Sequence, residues 1–182
     1  MICTSHGIIW RDNPIQIVEQ YLQWAQDFQQ DQITLLYDTM WNGTRTMAES
    51  IAKGLRVAGE GTDVKIFNIS KSDKNDIITE IFKSRAIGVG SSTINRGILT
   101  SVAGILEEIK GLKFRKKKAF AFGCCGWSGE SVGIISAHLK AAGFELLNDG
   151  LKISWNPDDE GRNQCIEYGK RVSGELNRDS ER

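Results

Sequence analysis

Three short segments of this chain carry residue types that could do chemistry together. The first, residues 38–44, reads Asp38-Thr39-Met40-Trp41-Asn42-Gly43-Thr44 and leads straight into a segment of helical pattern. Two hydroxyls, the Asn42 amide, a turn-permitting Gly43 and the free N–H groups of a helix start make a cradle for an anion without any lysine or arginine. Such a cradle suits a monoester phosphate. It has neither the G-K-[ST] of a nucleoside-triphosphate loop nor the GxGxxG of a dinucleotide fold. The same residues also read as a hydroxyl-rich turn that caps a helix and binds nothing. The second segment, Gly90-Ser91-Ser92-Thr93-Ile94-Asn95-Arg96-Gly97, and the third, Gly123-Cys124-Cys125-Gly126-Trp127-Ser128-Gly129, are small, polar and bounded by glycine. A flat heteroaromatic ring with polar edges would use their main-chain groups, Thr93 and Asn95 for hydrogen bonds and Trp127 as a stacking face.

What must position these segments is a regular alternation of short apolar runs and amphipathic stretches. Residues 33–37, 64–69, 86–90 and 119–123 read as strands, and a fifth lies within 144–154. Between them, residues 45–58, a stretch capped by Asp73, 99–109 and 132–142 show helical spacing, and Pro157 opens a last helix to about Leu176. Gly111 and Gly143 are expected to stop the third and fourth of these helices. Strict alternation with right-handed crossovers predicts an α/β doubly wound five-stranded parallel sheet in the order 2-1-3-4-5. In that order the ligand crevice opens at the carboxyl ends of strands one, three and four, where the three segments lie. The basic run at 115–118 reads as a solvated loop ahead of a strand.

An extra N-terminal helix precedes this domain, with Asn13 as its cap, Pro14 in its first turn and an end near Phe28. Its apolar sector, with Ile15, Val18 and Leu22 in one stripe and Tyr21 and Trp24 in another, calls for a partner surface, so a homo-oligomer is expected. Lys+Arg and Asp+Glu both number 23, so no overall field attracts nucleic acid or an anionic membrane. The four cysteines form no disulfide framework, no pair has CxxC spacing, and no stretch reads as a secretory signal or a membrane span. A reducing cytoplasmic location is the expectation. Residues 178–182 are expected to fray.

The wording DTMWNGT, GSSTINRG and FGCCGWSGE resembles the flavodoxin-like domain of the flavodiiron proteins, particularly the flavorubredoxin type of anaerobic nitric-oxide reductase. The resemblance covers essentially the whole chain. It implies that FMN is the cofactor, with Thr39, Met40, Trp41, Asn42, Gly43 and Thr44 around its phosphate. Ser91, Ser92, Thr93, Ile94, Asn95 and Gly97 would border the isoalloxazine, and Gly123, Cys124, Cys125, Gly126, Trp127 and Gly129 its other edge. Trp41 is bulkier than the residue usual in that phosphate loop, and Cys125 stands where many relatives carry an aromatic or a histidine.

The resemblance also implies partners: a rubredoxin-type electron donor, and a diiron domain as acceptor that reduces nitric oxide or dioxygen. Residues 1–30 resemble the end of that diiron domain and its linker, His6 matching its last iron ligand, with residues 31–177 as the FMN domain. The H-x-E-x-D segment that supplies most of the iron ligands is not in this sequence, so His6 is expected to hold no metal here. Arg96 is a candidate for stabilising reduced flavin. Two other readings stay open on the residues alone: a stand-alone NAD(P)H:quinone oxidoreductase of the same fold, and a cofactor-free receiver domain built on Asp38.

Overall fold

The computed structural model describes residues 1–180. Its strands are β1 (Gln30–Tyr37), β2 (Asp63–Asn68), β3 (Ser84–Gly90), β4 (Lys118–Cys125), β5 (Glu145–Leu146) and β6 (Leu151–Ser154). Its helices are α1 (Ile15–Ala25), α2 (Gly43–Ala58), α3 (Lys74–Lys83), α4 (Thr100–Leu112), α5 (Ser131–Ala141) and α6 (Asp159–Ser180). All pairings are parallel, and the order runs β2-β1-β3-β4-β5, with β6 also on β4. The doubly wound order expected from the sequence is the observed one. Its fifth position is filled by two short strands where a single one was expected. The break falls at Gly150, whose φ of +85° and closeness to the Ala121 carbonyl, 2.6 Å from where a Cβ would stand, turn the chain between the two halves.

Alternate residues of each strand feed two cores. On one face Ile33, Leu35, Phe120 and Phe122 meet Met47 and Ile51 of α2 and Tyr168 and Val172 of α6. On the other, Leu36, Ile87, Val89 and Ala121 meet Ile81 of α3, Leu106 of α4 and Ile135 of α5. Gly88 and Gly90 of β3 make room for the rings of Phe120 and Phe122, which would lie 2.5 Å and 2.2 Å from an added Cβ. Helices α2 and α6 touch main chain to main chain, because Gly54 faces Ile166 and Gly169 faces Ile51.

Several local expectations are corrected. Helix α4 runs past Gly111 and ends at Leu112, with Lys113 in the left-handed conformation as its cap. Helix α1 ends at Ala25, not near Phe28, because Asp27 turns back at φ +56°. Its start is held by the Asn13 carbonyl, which accepts from Gln16 N–H, and not by the Asn13 side chain. Helix α6 continues to Ser180, through most of the expected frayed tail; residues 181 and 182 lie outside the described residues.

The basic run is not a solvated loop throughout. Lys117 is 5% exposed, and its ammonium donates to the carbonyls of Phe82 and Ser84 below the sheet. Burial lowers its pKa to about 8. Lys116 pairs with Asp27 at 2.9 Å, and Gln29 donates to the Lys116 carbonyl, which fastens the segment after α1 to the domain. Trp24 of α1 packs on Phe82, ring centroids 5.7 Å apart, while Ile15, Tyr21 and Leu22 stay exposed. No helix among the described residues is long and apolar enough to cross a membrane.

Candidate functional site

The carboxyl ends of β1, β3, β4 and β6 open onto one cavity of about 860 Å³. It is lined by Met40, Trp41 and Gly43 from the first predicted segment, Ser92, Thr93 and Asn95 from the second, and Cys124, Cys125, Gly126 and Trp127 from the third. Arg96, Ser128, Trp155 and Asn156 complete the lining, and among the described residues Arg96 is the only charged one there. The three segments therefore converge as expected.

The first segment forms the end of the cavity next to α2. Asn42 adopts φ +63°, which turns the chain into α2, and Gly43, the first residue of that helix, lines the cavity. Thr44 is fully buried, its hydroxyl 3.0 Å from Ser92 Oγ and 3.3 Å from Cys124 Sγ. The Thr39 hydroxyl is buried with no hydrogen-bond partner in the protein. An enclosed hydroxyl without a partner costs free energy, and Thr39 itself is not among the residues that line the cavity.

Segment two closes as a tight turn, with Gly97 N–H donating to Ile94 C=O at 2.7 Å and Asn95 and Arg96 at φ +50° and +57°. Two consecutive non-glycine residues in that conformation are strained, and the turn presents both side chains to the crevice. The Thr93 hydroxyl, expected to reach the ring, is engaged with Ser131: it donates to Ser131 Oγ at 3.0 Å and accepts from Ser131 N–H. Ser91 faces inward, fully buried, its hydroxyl accepting from Leu99 N–H and donating to the Ser92 carbonyl. Thr93 and Ser91 thus position the loop. Ile94, Gly97, Gly123 and Gly129 shape the walls without lining the cavity; Gly123 lets Ser91 approach, and Gly129 turns at φ +71°.

Segment three lays Trp127, 88% exposed, over the opening, edge-on to Trp155 at 6.2 Å. Cys124 and Cys125 are free thiols that line the cavity. Hydrogen bonding from Ser128 and its own main chain holds the nearby Glu130 carboxylate below its ordinary pKa, and Arg96 and Lys152 add attraction. Trp155 and Asn156, on the loop after β6, were missed in the sequence. The signal was their place one and two residues past a strand end at the same sheet edge, concealed because the split strand blurred that end.

Asp38 is not placed as a receiver's acceptor residue would be. Its carboxylate takes hydrogen bonds from the Thr39 N–H and the hydroxyls of Ser70 and Ser101, which ties β1 to its neighbours. His6 is exposed, and among the described residues no cluster of three or more His, Cys, Asp or Glu could hold a metal ion.

A doubly wound sheet in the order β2-β1-β3-β4-β5 with a cavity at its switch point, lined by small polar loops and two indoles, is the architecture of a flavodoxin. The sequence model of the flavodoxin family matches residues 35–169, and the chain belongs to that family. The anaerobic nitric oxide reductase flavorubredoxin of Aliivibrio salmonicida is 52% identical over 173 residues, 95% of this chain and 34% of its own length. The protein of the same name from Escherichia coli O1:K1 is 50% identical over 95% of this chain and 36% of its own. The chain thus spans about a third of the curated relatives it matches. Among solved structures, the rubredoxin oxygen:oxidoreductase of Desulfovibrio gigas superposes with a TM-score of 0.82 at 33% identity, over 88% of this chain and 39% of that one. The flavodiiron protein of Giardia intestinalis gives 0.85 at 26% identity, over 93% and 42%.

Proposed function

We propose that this chain is an FMN-binding electron-transfer module that takes electrons from a rubredoxin-type donor and passes them to a diiron centre reducing nitric oxide or dioxygen. The observation that carries this reading is the convergence of the three segments on one cavity of about 860 Å³, with Gly43 at the start of α2 and Trp127 both in its lining. FMN bound there would supply one- and two-electron transfer. Thr39, Thr44 and the α2 amides would hold the phosphate, while Asn95 and the main chain of residues 124–126 would border the ring and Trp127 would cover it. Trp127 at the mouth leaves the ring edge within reach of a docked partner.

The names of the relatives support the choice of donor and acceptor and do not favour the quinone-reductase alternative. Residues 1–30 read as the end of a diiron domain and its linker, and the irons would be held by ligands other than those of this chain. The exposed Ile15, Tyr21 and Leu22 suit burial against a second copy or another domain. A cytoplasmic location accords with the free cysteines.

The test is the visible spectrum of the purified protein, with flavin extracted and quantified. One FMN per chain is the expected result. A colourless chain that does not take up added FMN at high concentration overturns the reading.

A further inference from the structure

The crevice has a fourth wall. Strand β6 pairs with β4 from Phe122↔Leu151 to Cys125↔Ser154, so the chain leaves β6 beside the third segment. The Trp155 N–H donates to the Cys125 carbonyl at 2.7 Å, and Trp155 adopts φ +60°. A bulky L residue rarely takes that conformation, and its cost must be offset elsewhere. Burial of the indole does not offset it, since the side chain stays 65% exposed. The turn does lay the indole against Gly126, 3.5 Å from where a Cβ would stand, and edge-on to Trp127.

The next residue reaches the other end of the crevice. Asn156 Oδ1 stands 2.6 Å from the Cβ position of Gly43, the first residue of α2, and Cys124 Sγ stands 2.9 Å from the same point. The Asn156 side chain has no hydrogen-bond partner among the described residues, although an amide offers two donors and an acceptor. Its loop is fixed from behind: Pro157 is buried, and the Asp158 carboxylate caps α6 by accepting from Gly161 N–H at 2.8 Å. Asn156 is exposed and open to water, and it lines the cavity beside the first residue of α2, where a ligand in the crevice would meet its donors and acceptor.

We propose that Asn156 binds the phosphate end of the cofactor, and that Trp155 is a positioning residue acting on the ring end through Gly126 and Trp127. The inference rests on the FMN reading and extends it to a loop outside the three segments. Because the two residues act at opposite ends of one molecule, they are separable with riboflavin, which has the ring and ribityl chain but no phosphate.

The experiment is a fluorescence titration of FMN and of riboflavin against wild type, Asn156→Ala, Asn156→Asp, Trp155→Ala and Trp155→Phe, each checked by thermal melting. Asn156→Ala is expected to weaken FMN binding about tenfold, the scale of one hydrogen bond to a charged group, and riboflavin binding by less than threefold. Asn156→Asp, which keeps the shape and adds a negative charge, is expected to weaken FMN still further and to spare riboflavin. Trp155→Ala is expected to weaken both flavins by a similar factor, and Trp155→Phe to recover most of the loss. Folded Asn156 variants that bind FMN like wild type, or lose both flavins equally, overturn the role of Asn156. Unchanged binding by Trp155→Ala overturns that of Trp155. A wild type that takes up neither flavin overturns the cofactor reading itself, an outcome distinct from these.

Discussion

The hydroxyl of Thr44, at the start of α2, lies 3.0 Å from that of Ser92, in the loop after β3, and joins the first segment to the second wall of the crevice. Both residues are buried, so the bond sits in a low dielectric and fixes the spacing of two loops far apart in sequence. Thr44→Val keeps the shape and removes the hydroxyl. We expect a loss of about 1 kcal/mol of stability and an FMN affinity reduced about tenfold, measured by urea unfolding and flavin titration.

The contact of α2 with α6 makes a sharper prediction. A Cβ on Gly169 would stand 2.2 Å from the Ile51 carbonyl oxygen, and one on Gly54 2.0 Å from that of Ile166. Main chain cannot step aside as a flexible side chain can. Gly169→Ala or Gly54→Ala should cost about 3 kcal/mol or more. Gly174, also in α6, has open space around it, and Gly174→Ala should gain up to about 1 kcal/mol. Denaturant midpoints of the three variants check both signs.

Lys117 should make stability depend on pH in the alkaline range. Its folded pKa of about 8 lies below the ordinary 10.5, so above pH 8 the unfolded chain binds the proton that the folded chain has released. Stability from this group therefore rises with pH between about 8 and 10.5, and the destabilisation is fully present below 8. Relative to Lys117→Met, wild type should gain about 3 kcal/mol across that window, read as the change in their unfolding free-energy difference between pH 7 and pH 10.5.

Arg96 lines the crevice, and Glu130 lies close enough to feel its charge. A cation near the ring favours an anionic reduced flavin, and the carboxylate opposes it. Arg96→Ala should lower the two-electron midpoint potential by roughly 30 mV, equivalent to about 1.4 kcal/mol, and Glu130→Gln should raise it by a smaller amount. Spectroelectrochemical titration of the flavin-loaded protein measures both.

The alternation of apolar runs carried the sheet order, the two cores and the convergence of three loops. Those features depend on which residues leave water, and periodicity records that directly. The glycines at 88, 90, 54 and 169 were visible as letters, but what they make room for belongs to distant segments. The Thr93 and Ser91 hydroxyls were legible as polar groups at the right edge of the sheet. Their partners, Ser131 and Leu99, came from other elements and brace the loop, while Thr93 also lines the cavity.

By itself, the sequence determined the family, the doubly wound order and the convergence of three loops at one sheet edge, because these follow from local pattern and from groups within a few residues of one another. Only the tertiary structure decided that Lys117 is buried, that the fifth strand is broken at Gly150, and that Trp155 and Asn156 close the crevice. Each of these depends on which carbonyl, ring or amide from elsewhere in the chain comes to lie within hydrogen-bond or van der Waals reach. Such distances arise when the whole sheet packs, and no window of neighbouring residues contains them.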